Sequence, residues 1–205
     1  MTRTPIIAGN WKMNTLRAEA TALARAIRDR CDAIANVEKI ICPPYVFLHD
    51  ARAAIDGSSI RLGAQNVFWE EKGAYTGEIS VTQVAEVAEY AIIGHSERRR
   101  YFGETEETVN RRVRAALAHG VKPIMCVGET LDQRNAGETD DVLVRQTRGG
   151  LEGVAISAEF VIAYEPVWAI GTGLAADGAT AEAAIALIRS TVRAPAGPAS
   201  DAARI

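Results

Sequence analysis

The strongest constraint on this chain is a repeated pairing of a short, unbroken apolar run with a longer amphipathic one. "PIIAGN" precedes "TLRAEATALARAIRDRC", "KIIC" precedes "PYVFLHDARAAI", and "IRLGAQN" leads through a long loop to "SVTQVAEVA". The second half repeats the theme. "YAIIGH" precedes "TEETVNRRVRAALAHG", "VKPIMCVGE" precedes "TLDQRNAG" and "DDVLVRQTRGGLEG", and "EFVIAYE" precedes "TAEAAIALIRSTVR", which makes six strand-helix units. Strands that are apolar without alternation are covered on both faces, and strict β/α alternation implies a parallel sheet with right-handed crossovers. The class is therefore α/β. A doubly wound sheet and a (β/α) barrel both satisfy the pattern. A dinucleotide-binding sheet would need G-x-G-x-x-G after its first strand, whereas Gly9 stands alone before Asn10, Trp11 and Lys12, which tilts the choice toward a barrel.

Composition sets outer bounds. A chain of 205 residues with 48% hydrophobic and 24% charged residues suits one large domain spanning residues 1–205. The formal charge of -3 and the lack of a basic run beyond Arg98-Arg99-Arg100, read as a solvated face, give no footprint for nucleic acid. No apolar run approaches the roughly 18 residues of a membrane span, and the apolar stretch in "MTRTPIIAGN" is too short for a signal peptide, so a cytoplasmic protein is expected. Cys31, Cys42 and Cys126 have no C-x-x-C spacing and read as buried reduced thiols, Cys126 as a small hydrophobe within "VKPIMCVG". His49, His95 and His119 are scattered, with no metal-ligand spacing.

One connection exceeds the usual length. Gln65–Ser80 carries Phe68, Trp69 and Tyr75 without a clear period, and loops longer than about 12 residues generally have a task. The loop either folds back on its own domain or docks into a partner subunit, and exposed aromatics fit docking better.

In a parallel α/β array the functional groups lie just after the apolar runs. Strand one ends in Asn10 and Lys12, strand four in His95 and Glu97, and strand six in Glu165 before a glycine-rich loop. Singly, each has an ordinary reading as a solvated amine, turn residue, helix cap or ion-paired acid. Together they make a chemical set. A carboxylate can remove a proton α to a carbonyl, a neutral imidazole can donate to the oxygen that becomes an enediolate, and an ammonium can stabilise that charge and an anionic substrate. That is aldose-ketose isomerisation, with no cofactor and no metal required.

The segments "AGNWKMN" at 8–14, "GAQNV" at 63–67, "IIGHSERR" at 92–99, "PIMCVGE" at 123–129 and "AYEPVWAIGTG" at 163–173 closely resemble the triosephosphate isomerase family, in unbroken order. The resemblance implies a (β/α)8 TIM barrel, here about six β/α units, acting on a triose phosphate. It implies Glu165 as the proton-shuttling base, His95 as an electrophile kept neutral at a helix N-terminus, and Asn10 and Lys12 as substrate contacts. Glu97 is similar to the family's supporting carboxylate near the lysine. Residues 167–176 resemble a lid, with Pro166 stiffening its hinge and Gly171 and Gly173 bringing backbone N–H groups to the phosphate; "LAA" at 174–176 departs from the family's lysine-led hinge. Loop 65–80 resembles a dimer loop, with Thr76 near its tip, and implies a homodimer.

A complete barrel of this kind has eight units in about 250 residues. The chain is expected to lack strands seven and eight and the "YGGS"-type phosphate loop, with "DAARI" at the entrance to strand seven and "RAPAGPASDAARI" a linker without a core face. Strands one and six would then have unpaired edges and expose barrel-filling side chains. The alternative is a non-catalytic remnant, or half of a split barrel binding a complementary chain.

Overall fold

A computed structural model describes residues 3–157 and 159–205, the side chains of 195–199 excepted. The chain forms two compact units, residues 1–92 with 115–122, and residues 93–114 with 123–205.

In the first unit, β1 (Ile6–Asn10), β2 (Glu38–Cys42), β3 (Arg61–Ala64) and β4 (Tyr90–Ile93) pair in sequence order and in parallel. The registers run Ala8 to Ile40, Ile40 to Arg61 and Gly63 to Tyr90. Helices α1 (Arg17–Cys31), α2 (Leu48–Ala54) and α3 (Val81–Ala85) supply the crossovers. Their ends follow local chemistry. Glu19 accepts the Leu16 N–H at 2.8 Å at the start of α1, and the Lys39 ammonium closes its far end on the carbonyls of Cys31, Asp32 and Ile34 at 3.2, 3.2 and 2.8 Å. Ser80 and Gln83 form a reciprocal capping box on α3.

The core lies where the apolar runs are unbroken. Ile40, Ile41, Leu62, Ala64, Tyr90 and Ile93 are all buried. Strand β1 differs: it lies at the end of the strand order, its central residues are exposed and Ile7 is 66% accessible.

The base of the long loop folds back on the chain's own residues. Phe68 is buried, its N–H meets the Ile79 carbonyl at 2.8 Å, and its ring lies 4.2 Å from Trp69 and 4.8 Å from Tyr75. The loop thus packs on its own aromatics, while residues 70–78, Thr76 among them, are exposed.

The second unit contains α4 (Ser96–Phe102), α5 (Glu106–Ala118, in part), β5 (Lys122–Val127), α6 (Leu131–Asn135), α7 (Thr139–Gly150), β6 (Val161–Tyr164) and α8 (Gly178–Ala196). Strand β5 pairs with β6 in parallel, Ile124 with Val161 through Val127 with Tyr164. Thr130 and Gln133 box the start of α6, at the threonine that opens that amphipathic run in the sequence.

Several expectations need correction here. The segment after Arg193 is not a linker: α8 continues to Ala196, a 3-10 turn spans Gly197–Ala202, and Val192, Ser200 and Ala203 around the undescribed side chains are buried. Nor is the outer edge of β6 unpaired. Arg204 bridges Val161 in parallel, with Ile162 N–H to Arg204 O at 2.9 Å and Arg204 N–H to Phe160 O at 3.1 Å. Arg98-Arg99-Arg100 is not a solvated face either, because only Arg100 is exposed. Arg98 turns inward to Glu104 at 2.5 Å and Arg99 to the Gly94 carbonyl at 2.9 Å; buried acceptors outcompete water for both guanidinium groups. Cys42 and Cys126 are buried thiols as expected, but Cys31 is only partly covered.

Candidate active site

At the end of β1, Asn10 Oδ1 accepts the backbone N–H of Lys12 at 2.9 Å, and this local turn holds Lys12 at φ +53°. A lysine at positive φ is strained, and Thr15 in the same loop, at +75°, is a β-branched residue in the same region. Gln65, at the end of β3, donates from Nε2 to the carbonyls of Lys12 at 2.8 Å and Cys42 at 2.9 Å. It ties the loops after β1 and β2 to β3. Sequence reasoning passed over Gln65, although it stands within the quoted "GAQNV".

His95 caps α4. Its Nδ1 accepts the Glu97 N–H at 3.2 Å, so that nitrogen carries no proton, and its Nε2 faces Glu165 Oε1 at 2.9 Å as the donor. This is a neutral imidazole aimed at a carboxylate. The Glu97 carboxylate lies 3.6 Å from Nδ1, beyond hydrogen-bond length.

Glu165 stands one residue past β6. Its second oxygen accepts the Ser96 N–H at 2.9 Å, and its backbone N–H reaches Val127 O at 2.8 Å. Burial pushes its pKa up, but the hydrogen bond and electrostatic attraction of the His95 ring and the Ser96 N–H together outweigh that and hold it below the usual carboxylate value. Ser96 was legible only as part of "GHSERR". The backbone at Glu165 is seated tightly, since a Cβ on Gly128 would overlap the Glu165 carbonyl oxygen and lie 2.8 Å from its carbon. Gln146 fixes Gly128 from the other side, accepting its N–H at 2.8 Å and donating to its carbonyl at 3.3 Å.

Beyond Glu165, a 3-10 turn at Val167–Ala169 leads into an exposed segment in which Gly171 and Gly173 adopt φ +70° and +78°. The root of that segment is anchored on Glu129, which is fully buried. Its carboxylate accepts from Trp168 Nε1 at 2.8 Å, Tyr164 OH at 3.1 Å and Arg134 Nη1 at 3.2 Å, and the Arg134 guanidinium stacks 4.6 Å over the Trp168 ring. Burial first, then the Glu129 charge, pushes the Tyr164 hydroxyl up to about 12. Within "PIMCVGE" nothing local marks a task for Glu129. Only the structure reveals it as a junction.

The structure thus brings His95, Glu165, Glu97 and Ser96 together within one unit, and Asn10, Lys12 and Gln65 within the other. Thr76 sits apart on the exposed loop tip. Among the described residues, no cluster of His, Cys, Asp and Glu is arranged to hold a metal ion, and no helix is long and apolar enough to cross a membrane.

Parallel β/α units with an imidazole-carboxylate pair just past the strand ends define the class as a (β/α)-barrel isomerase fold. A family model described as triosephosphate isomerase matches residues 5–205. The chain is 51% identical over 184 residues to triosephosphate isomerase of Dehalococcoides mccartyi strain CBDB1, covering 90% of this chain and 72% of that protein. It is 49% identical over 193 residues to triosephosphate isomerase of Alkaliphilus oremlandii, covering 93% and 77%. With triosephosphate isomerase of Caldanaerobacter subterraneus subsp. tengcongensis it shares 51% over 193 residues, with the same 93% and 77% coverage. The chain belongs to the triosephosphate isomerase family.

Proposed function

We propose that this chain interconverts dihydroxyacetone phosphate and D-glyceraldehyde 3-phosphate, the isomerisation step of glycolysis and gluconeogenesis, through an enediolate. One observation carries the reading: the largely covered Glu165 carboxylate lies 2.9 Å from an imidazole whose other nitrogen is already an acceptor. When substrate enters, Glu165 exchanges His95 for the carbon next to the carbonyl and takes its proton. His95 then donates its Nε2–H to the oxygen on which negative charge grows. Glu165 returns the proton to the adjacent carbon, while the hydroxyl proton of the first oxygen replaces the one the imidazole gave to the second, leaving the ring neutral again. Every atom is conserved, so the chemistry needs no cofactor and no metal.

A neutral donor suits this task, because an imidazolium facing the base would hold it in an ion pair. Lys12 supplies a cation for the enediolate and the phosphate, and Asn10 sets the turn that presents it. Glu97 supports this group, and Gly171 offers its backbone N–H to the phosphate. Residues 167–176 close over the substrate and exclude water.

We further assign residues 1–205 to one barrel domain, and the protein to the cytoplasm, where its three free thiols suit a reducing compartment. Loop 65–80 docks into a second copy to form a homodimer, Thr76 leading, since its tip is exposed while its aromatic base is packed. The test is isomerisation of glyceraldehyde 3-phosphate by the purified chain beside Glu165→Ala. Turnover well above that variant is expected, and turnover equal to it would sink the proposal.

A further inference from the structure

Arg99 is a largely covered cation to which the isomerisation gives no task. Its side chain is 15% exposed, with Nε donating to Gly94 O at 2.9 Å and Nη2 to Cys126 O at 3.5 Å, while Nη1 lies 3.7 Å from Glu106. Gly94 turns at φ +73°, and a Cβ there would come within 3.2 Å of Arg99 Nη2 and 2.8 Å of Val109 Cγ2. The guanidinium therefore lies against a turn that only glycine can make.

Both carbonyls it grips lead to the reacting groups. Gly94 immediately precedes His95. Cys126 pairs with Ala163 across β5 and β6, two residues before Glu165. We propose that Arg99 is a positioning residue for the isomerisation: its planar fork locks the Gly94–His95 turn to β5 and so keeps the imidazole and the Glu165 carboxylate in register. The proposal rests on the isomerase reading for its catalytic consequence, and on geometry alone for the locking.

The charge environment fits this task. The groups acting on the guanidinium are Glu106 of α5, Cys126 of β5, Glu104, and Glu165 itself; Arg145 of α7 shares Glu106 at 3.6 Å. Burial lowers the guanidinium pKa and these groups oppose the shift, yet an arginine stays protonated throughout. Glu165 is thus among the groups within electrostatic reach of a fixed positive charge. Lysine at 99 would keep a point charge but lose the two-pronged grip.

Arg99→Gln and Arg99→Lys in the purified chain separate grip from charge, read by kcat, KM, the acid limb of the kcat–pH profile and thermal unfolding. Arg99→Gln is expected to lose about tenfold or more in kcat with KM within about twofold, and to move the acid limb to higher pH. Arg99→Lys is expected to lose kcat while leaving the acid limb in place, and it decides the matter alone if Arg99→Gln does not fold. The NMR resonance of His95 Nε2–H gives a readout independent of turnover: it should be protected in the unsubstituted chain and lost in a folded variant. Wild-type kcat and an unchanged His95 resonance in either variant would overturn the proposal. An unsubstituted chain without activity would instead refute the isomerase reading, with the resonance still deciding whether Arg99 holds the pair.

Discussion

Gly128→Ala puts the smallest possible side chain where the structure has no room. The new Cβ would overlap the Glu165 carbonyl oxygen and stand 2.8 Å from the carbonyl carbon and 3.3 Å from Cα, all backbone atoms without rotamers to escape into. Gln146 holds Gly128 through both its N–H and its carbonyl, so the strain cannot be shed on that side. The backbone at Glu165 must instead retreat by roughly an ångström, a misplacement that costs about 10²-fold when it moves a reacting group. Overpacking of this kind costs about 1–3 kcal/mol of stability, here at the upper end because backbone meets backbone. For a chain of this size, 3 kcal/mol corresponds to a melting temperature lower by roughly 6–12 °C. The assay is coupled-dehydrogenase measurement of glyceraldehyde 3-phosphate isomerisation, paired with thermal unfolding. A Gly128→Ala protein with kcat/KM within about threefold of the parent and an unchanged melting temperature would refute the claim that this contact seats the base.

His95→Gln should move the acid limb of kcat/KM to higher pH, because burial of Glu165 then acts with less opposition. The sign follows from the depressed carboxyl pKa in the folded chain: its stabilisation is present above the unfolded value of about 4.3 and is lost as pH falls through the folded one, so the variant should also unfold at higher pH on acid titration. Trp168→Phe deletes the 2.8 Å indole bond to the buried Glu129 carboxylate. A loss of about 2 kcal/mol, or roughly 4–8 °C in melting temperature, is expected, with faster proteolysis near Ile170–Leu174. With a thiol-specific reagent, Cys31 should react in the native protein while Cys42, pushed up to about 12 by burial, and Cys126 react only after unfolding. Early labelling of all three would contradict the burial described.

The sequence was most readable where one residue type serves one physical need. Unbroken runs such as "KIIC" and "YAII" could only be strands covered on both faces, and the breaks between apolar runs marked where Asn10, His95 and Glu165 would stand. It was least readable where a side chain acts through a distant backbone group. Arg99 looks like any member of a basic triplet until its partners, the carbonyls of Gly94 and Cys126, are brought to it by the fold. Glu129, Gln65 and Gln146 likewise have no local signature, since their partners lie 18 to 53 positions away. The bonds from Arg134 to Glu129 and from Arg99 to Gly94, each five residues apart, were within local reach. The segment after Arg193 misled for a simpler reason: proline and glycine suggested a break, but packing of Val192, Ser200 and Ala203 carried the helix and its 3-10 extension through.

On the role proposed for Lys12, the left-handed turn there sets stability against function at a single position. A residue with a Cβ costs about 1 kcal/mol more than glycine at φ +53°, and the Asn10 side chain is committed to holding it there. Selection for folding alone would replace Lys12 with glycine or asparagine, and a library screened only for thermal resistance would find those substitutions early. Each such gain would remove the ammonium from the mouth of β1. A stabilised descendant of this chain would therefore be hardier and slower, unless activity was selected alongside.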